Sequence, residues 1–134
     1  MKLEHIGIAV KDLGVSNELF QKLLGKEHYK IEKVESEGVA TSFFSTGESK
    51  IELLEADNEE STIAKYISKK GEGVHHLAFN VDDIEVEMNR LKNAGFELIN
   101  TEPKAGADGK LICFLHPKTT NGVLIELCQD IKKA

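Results

Sequence analysis

Apolar and polar positions alternate over 3–10 (LEHIGIAV), 29–36 (YKIEKVES), 39–46 (VATSFFST) and 49–56 (SKIELLEA), the two-residue period of half-buried strands. Between the first two, SNELFQKLLG (16–25) sets Leu19, Phe20, Leu23 and Leu24 at helical spacing, with Ser16 as N-cap and Gly25 as a stop. The pattern predicts β-α-β-β-β. The same order recurs downstream. GVHHLAFNV (73–81) reads as a strand, DDIEVEMNRLKNAG (82–95) as a capped helix, and FELINTE (96–102), KLICFLHP (110–117) and GVLIELCQ (122–129) as three further strands. ESTIAKYISKKGEG (60–73) predicts a short connecting helix that ends in glycines.

The halves also match residue by residue. HIGIAVKDL at 5–13 aligns with HLAFNVDDI at 76–84, 71 positions later, and KIELLEA at 50–56 aligns with LIELCQD at 124–130, 74 positions later. Nearly equal offsets on like elements indicate a duplicated module. The expected organisation is one domain over 1–134, with module 1 at about 1–56, a linker at 57–72 and module 2 at about 73–134.

The alternation sorts side chains by face. His5, Gly7 and Ala9 lie opposite Ile6, Ile8 and Val10, and His76, Ala78 and Asn80 lie opposite Leu77, Phe79 and Val81. The histidine faces carry mostly small residues and so predict a hollow. Glu52 and Glu126 stand opposite their Ile and Leu neighbours. A carboxylate inside an apolar strand is costly to bury unless paired or bound to a cation. Taken singly, each of the four is an ordinary strand residue. As a duplicated set, His5, Glu52, His76 and Glu126 suit a divalent first-row metal (Co, Mn, Ni, Zn or Fe), and the ligand types do not choose among these. His75 falls on the other face and reads as packing.

Composition narrows the partners. A formal net charge of −6 argues against nonspecific nucleic-acid or anionic-membrane binding. The chain shows no signal-peptide pattern and no apolar run of about 18 residues, so a cytoplasmic location is the expectation. Cys113 and Cys128, far from any C-x-x-C spacing, read as reduced core thiols.

HIGIAVKDL, KIELLEA, GVHHLAFNVDDI and FLHPKTTNGVLIEL together resemble the vicinal oxygen chelate superfamily, which includes the glyoxalases, over nearly the whole chain. HHLAFNVDDI and HPK…GVLIEL, with EPKAGADGK before the second, are more specific to the methylmalonyl-CoA epimerases within it. The resemblance implies an α+β fold whose two β-α-β-β-β modules form a curled mixed sheet around a metal-binding cleft. It implies metal ligands at His5, Glu52, His76 and Glu126, with Glu126 also the catalytic base. Glu52 stands where some members have Gln, which keeps an oxygen ligand, adds negative charge and weakens the metal as an electrophile. The reaction implied is interconversion of (2R)- and (2S)-methylmalonyl-CoA through an enolate.

An acyl-CoA substrate makes Lys104, Lys110 and Lys118 candidate phosphate contacts and His116 a candidate for orienting the substrate loop. For the lysines, solvated surface positions are an equally good reading. Thr41 stands where some members carry a second proton-transfer Glu, so that role falls to water or to another carboxylate brought in by the fold. A homodimer is expected from the resemblance. The competing readings are a glyoxalase I-type lyase with the same ligands and a metal-free small-molecule binder of the same fold. An extradiol dioxygenase fits less well, because it uses two His and one carboxylate and leaves the fourth position open.

Overall fold

The structure, a computed structural model, describes residues 1–131. Along the chain run β1 (Lys2–Val10), α1 (Leu13–Leu24), β2 (Lys30–Val34), β3 (Val39–Ser45), β4 (Lys50–Ala56), α2 (Thr62–Lys70), β5 (Gly73–Asn80), α3 (Ile84–Asn93), β6 (Lys104–Ala105), β7 (Lys110–Leu115) and β8 (Ile125–Asp130). The expected β-α-β-β-β order is present twice. Two compact units divide the chain: an N-terminal unit, His5–His75, and a C-terminal unit formed by residues 76–131 together with Met1–Glu4.

In the N-terminal unit the strands run β2-β3-β4-β1, antiparallel except for the parallel β1–β4 pair. α1 covers one face of this sheet, where Leu13, Phe20 and Leu24 pack with Val10, Ala40, Phe44 and Leu53. Its N-cap is Asp12, whose side chain accepts from the Val15 amide, so the helix begins earlier than Ser16 predicts. The earlier start changes the inward stripe. Leu13, Asn17 and Phe20 turn inward, while Leu19 and Leu23 are 56% and 68% exposed. Buried Asn17 is satisfied by the Ser42 hydroxyl, which donates to its Oδ1 at 2.6 Å. α2, capped by Ser61, covers one end of the opposite face, where Ile63, Tyr66 and Ile67 pack with Ala9, Val39 and Leu54.

The C-terminal unit repeats the plan as β5-β8-β7-β6, with β5–β8 parallel and the other pairs antiparallel. α3, capped by Asp83, buries Ile84, Met88 and Leu91 against Val81, Cys113, Leu115 and Leu127. The strand predicted at 96–102 is not formed. Leu98 makes one bridge to Leu115, and the Asn100 side chain then takes the Phe114 amide that the ladder would have used. Pro103, which has no amide hydrogen, closes the segment, and pairing resumes only at β6. Among the described residues no helix is long and apolar enough to cross a membrane.

Candidate metal centre

The two units present one arrangement in duplicate. In the N-terminal unit Gly7 of β1 stands in register with Glu52 of β4, and His5, two positions back on the same face, reaches it: Nδ1 lies 2.9 Å from Oε2. In the C-terminal unit Ala78 of β5 stands in register with Glu126 of β8, and His76, again two positions back, places Nε2 3.3 Å from Oε1. Both pairs are buried. On its other side each glutamate faces a phenylalanine, Phe43 for Glu52 and Phe114 for Glu126. The Phe114 ring meets His76 edge-on at 6.1 Å.

Each carboxylate is therefore set between a large aromatic and a residue with little or no side chain. The small residue leaves room for the imidazole to cross from two positions away, and the aromatic excludes water from the other flank. On the histidine faces the two histidines, Gly7, Ala9 and Ala78 are buried, Asn80 is partly covered, and Leu3 and Val74 at the strand starts are exposed. The sequence offsets differ because the connection between β7 and β8, with its 3-10 turn Pro117–Thr119, is longer than the one between β3 and β4.

The remaining candidates separate by surroundings. Lys110 is only 7% exposed and its Nζ is held by Asp130, so the surface-lysine reading fails for it. Lys104 is exposed on β6. Lys118 is exposed and 3.0 Å from Glu97, and His116 Nδ1 accepts from the Lys118 amide, which makes this histidine the cap of the 3-10 turn. His75 packs edge-on against Tyr66 at 4.9 Å, and burial pushes its imidazole down to about 4. Cys128 is buried on the Glu126 face with Ala78 and Ile112, and its Sγ lies 3.5 Å from the Phe79 carbonyl. Both cysteines are free thiols.

Residues 4–114 match the glyoxalase/bleomycin resistance protein/dioxygenase superfamily. The chain belongs to this superfamily. An ethylmalonyl-CoA/methylmalonyl-CoA epimerase of Cereibacter sphaeroides is 40% identical over 130 residues, covering 96% of this chain and 97% of that protein. Among solved structures, a hypothetical protein of Bacillus halodurans superposes with a TM-score of 0.95 at 44% identity, covering 99% of this chain and 96% of that one. A Streptomyces coelicolor methylmalonyl-CoA epimerase variant in complex with 2-nitronate-propionyl-CoA superposes with a TM-score of 0.93 at 35% identity, covering 98% and 99%.

Within this superfamily member, two features near the site were not legible from sequence. One is Phe43 and Phe114 in register with the glutamates, a relation fixed by strand pairing between distant segments. The other is Lys30, whose Nζ lies 4.7 Å over the Phe43 ring. An isolated lysine at the start of a short strand carries no sequence signal for such a contact.

Proposed function

We propose that the chain is a divalent-metal-dependent methylmalonyl-CoA epimerase that interconverts (2R)- and (2S)-methylmalonyl-CoA. The observation that carries this reading is the buried His–Glu pair repeated at one register in both units, in a chain whose relatives bear the epimerase name. The donor set fits a divalent first-row cation. It offers two imidazoles and two carboxylates, all buried, and a buried carboxylate gains from a cation what it loses in hydration. His5, Glu52, His76 and Glu126 would hold the ion, and Co, Mn, Ni, Zn and Fe all accept these donors. When bound, such a cation supplies Lewis-acid stabilisation of the charge that builds on the thioester oxygen as C2 loses its proton.

Glu126 is the base in this reading. One of its carboxylate oxygens takes the proton from C2, which the thioester and the neighbouring free carboxylate acidify. Stereochemistry is lost at the planar enolate, and a proton returned to the opposite face completes the inversion. Burial of the two pairs keeps water away from the enolate while it exists. Lys104 and Lys118 are the proposed contacts for the CoA phosphates, with His116, beside Lys118, orienting the substrate loop; Lys110, already engaged by Asp130, is the weakest of the three lysines. A homodimer in the cytoplasm completes the reading.

The test is to give one epimer of methylmalonyl-CoA in D2O to the metal-loaded protein, with a parallel methylglyoxal–glutathione reaction. The expected result is formation of the other epimer with deuterium at C2. Turnover of the thiohemiacetal, with no exchange at C2, would replace this reading by a glyoxalase I-type lyase.

A further inference from the structure

α1 carries six apolar side chains, and only Leu13, Phe20 and Leu24 pack against the sheet. The other three, Val15, Leu19 and Leu23, are 65%, 56% and 68% exposed. They stand four positions apart, so they follow one another along the outer surface of the helix with a drift of about 40° per step. Together they form one stripe. A surface helix ordinarily turns polar residues outward, and apolar residues exposed singly need no explanation. A row of three on a 12-residue helix does, because it keeps half of the helix's apolar side chains in water.

The helix has two charged side chains, Glu18 and Lys22, both exposed and again four positions apart. Helical geometry puts both on one flank of the stripe, while the other flank carries Ser16 and no charge. That asymmetry selects a partner. Two copies of α1 packed stripe to stripe about a two-fold axis run antiparallel, and the axis sets each flank against the same flank of the other copy. With Leu19 at the centre, Val15 of one copy lies against Leu23 of the other. Glu18 of each copy is then offset by only about 3 Å along the helix axis from Lys22 of the other, within reach of an ion pair. Two such pairs close one side of six apolar side chains, and the helix dipoles run in opposite directions. A parallel pairing would turn the charged flank to the uncharged one and forfeit both pairs.

We infer that the outer stripe of α1 is the contact surface of a homodimer, covered by the same stripe of a second copy in antiparallel two-fold packing. Val15, Leu19 and Leu23 supply the apolar contact, and Glu18 and Lys22 fix its direction. A helix pair of this length buries less than the roughly 1,600 Å² of a standard interface, so the dimer is reversible and its population depends on protein concentration. This names the surface of the homodimer in the reading above and rests on that part of it alone.

Sedimentation equilibrium over a wide range of protein concentration, with circular dichroism to verify folding, tests the surface. Leu19→Glu sets a carboxylate against its own symmetry mate at the centre of the stripe and should raise the dimer Kd by at least about 30-fold, the loss expected of a central interface residue. The charged flank reads the same contact without touching the apolar stripe. Glu18→Lys alone and Lys22→Glu alone should each raise Kd by about tenfold. The two substitutions together should return it to within about threefold of the unsubstituted value, because the exchanged charges face each other again across the axis. A dimer unmoved by Leu19→Glu, or a double substitution no better than either single one, would overturn this surface while the homodimer stands. An unsubstituted protein that is monomeric at every concentration would overturn both.

Discussion

Glu126 lies between Ala78 on one neighbouring strand and Phe114 on the other, with His76 at 3.3 Å, and it is buried. A group placed there for packing would be apolar. Glu126→Gln keeps the volume and removes the proposed base, so on the proposal above kcat for epimerisation should fall by about 10²- to 10⁴-fold, the range expected for losing a general base. Stopped-time chiral analysis of the product checks this. Cys113 gives an independent measure of how closed the C-terminal core is. Burial raises its thiol pKa, outweighing an opposing backbone hydrogen bond with Asn100. The folded state therefore holds this proton where the unfolded chain, titrating near 9.0, releases it. Stability contributed by the neutral thiol is fully present below that pH and is lost as pH rises from there through the raised folded-state value. Denaturant titrations at a series of pH values from neutrality to above the unfolded thiol pKa should show the decline, and Cys113→Ala should flatten it; a decline unchanged by the substitution would refute the cause.

At the scale of elements, sequence patterning found seven of the eight strands and the three helices among the described residues, and its errors have local physical causes. Ser16 is a good N-cap by residue type, but Asp12 is equally good and precedes Leu13, whose burial pays for the extra turn. Asp12→Ala should therefore cost about 1 kcal/mol of stability. Ser16→Ala should stay within about 0.5 kcal/mol, as expected of a surface change, and chemical denaturation distinguishes the two. The strand expected at 96–102 failed because Asn100 can satisfy a backbone amide with its side chain, a competition that residue periodicity does not register. Gly38 marks a turn that no other residue fills well. Its φ is 65°, and a Cβ there would sit 2.8 Å from the Ser61 Cβ, against the N-cap of α2. Gly38→Ala should destabilise the protein by about 1–3 kcal/mol, readable in the same titration.

At the scale of the whole chain, the duplication was the most legible feature, because it is written in aligned residues and needs no structure to see. The four candidate ligands followed from it: strand alternation put each His and Glu on a definite face, and the structure pairs them within each unit as the alternation requires. What the sequence could not supply was register. That Gly7 meets Glu52 and Ala78 meets Glu126 depends on how strands far apart in the chain align, and the three extra positions between β7 and β8 hide the equivalence in the numbering. For the same reason the place of Lys30 over the Phe43 ring, set only by strand pairing, has no counterpart in the sequence pattern. The central claim is that both His–Glu pairs serve a single ion. Calorimetric titration of chelator-treated protein with Co²⁺ or Mn²⁺, alongside His5→Ala and His76→Ala, tests it most directly. The account predicts one ion per chain and loss of that binding when either histidine is replaced. Two independent ions per chain, or binding that survives loss of either histidine, would contradict it.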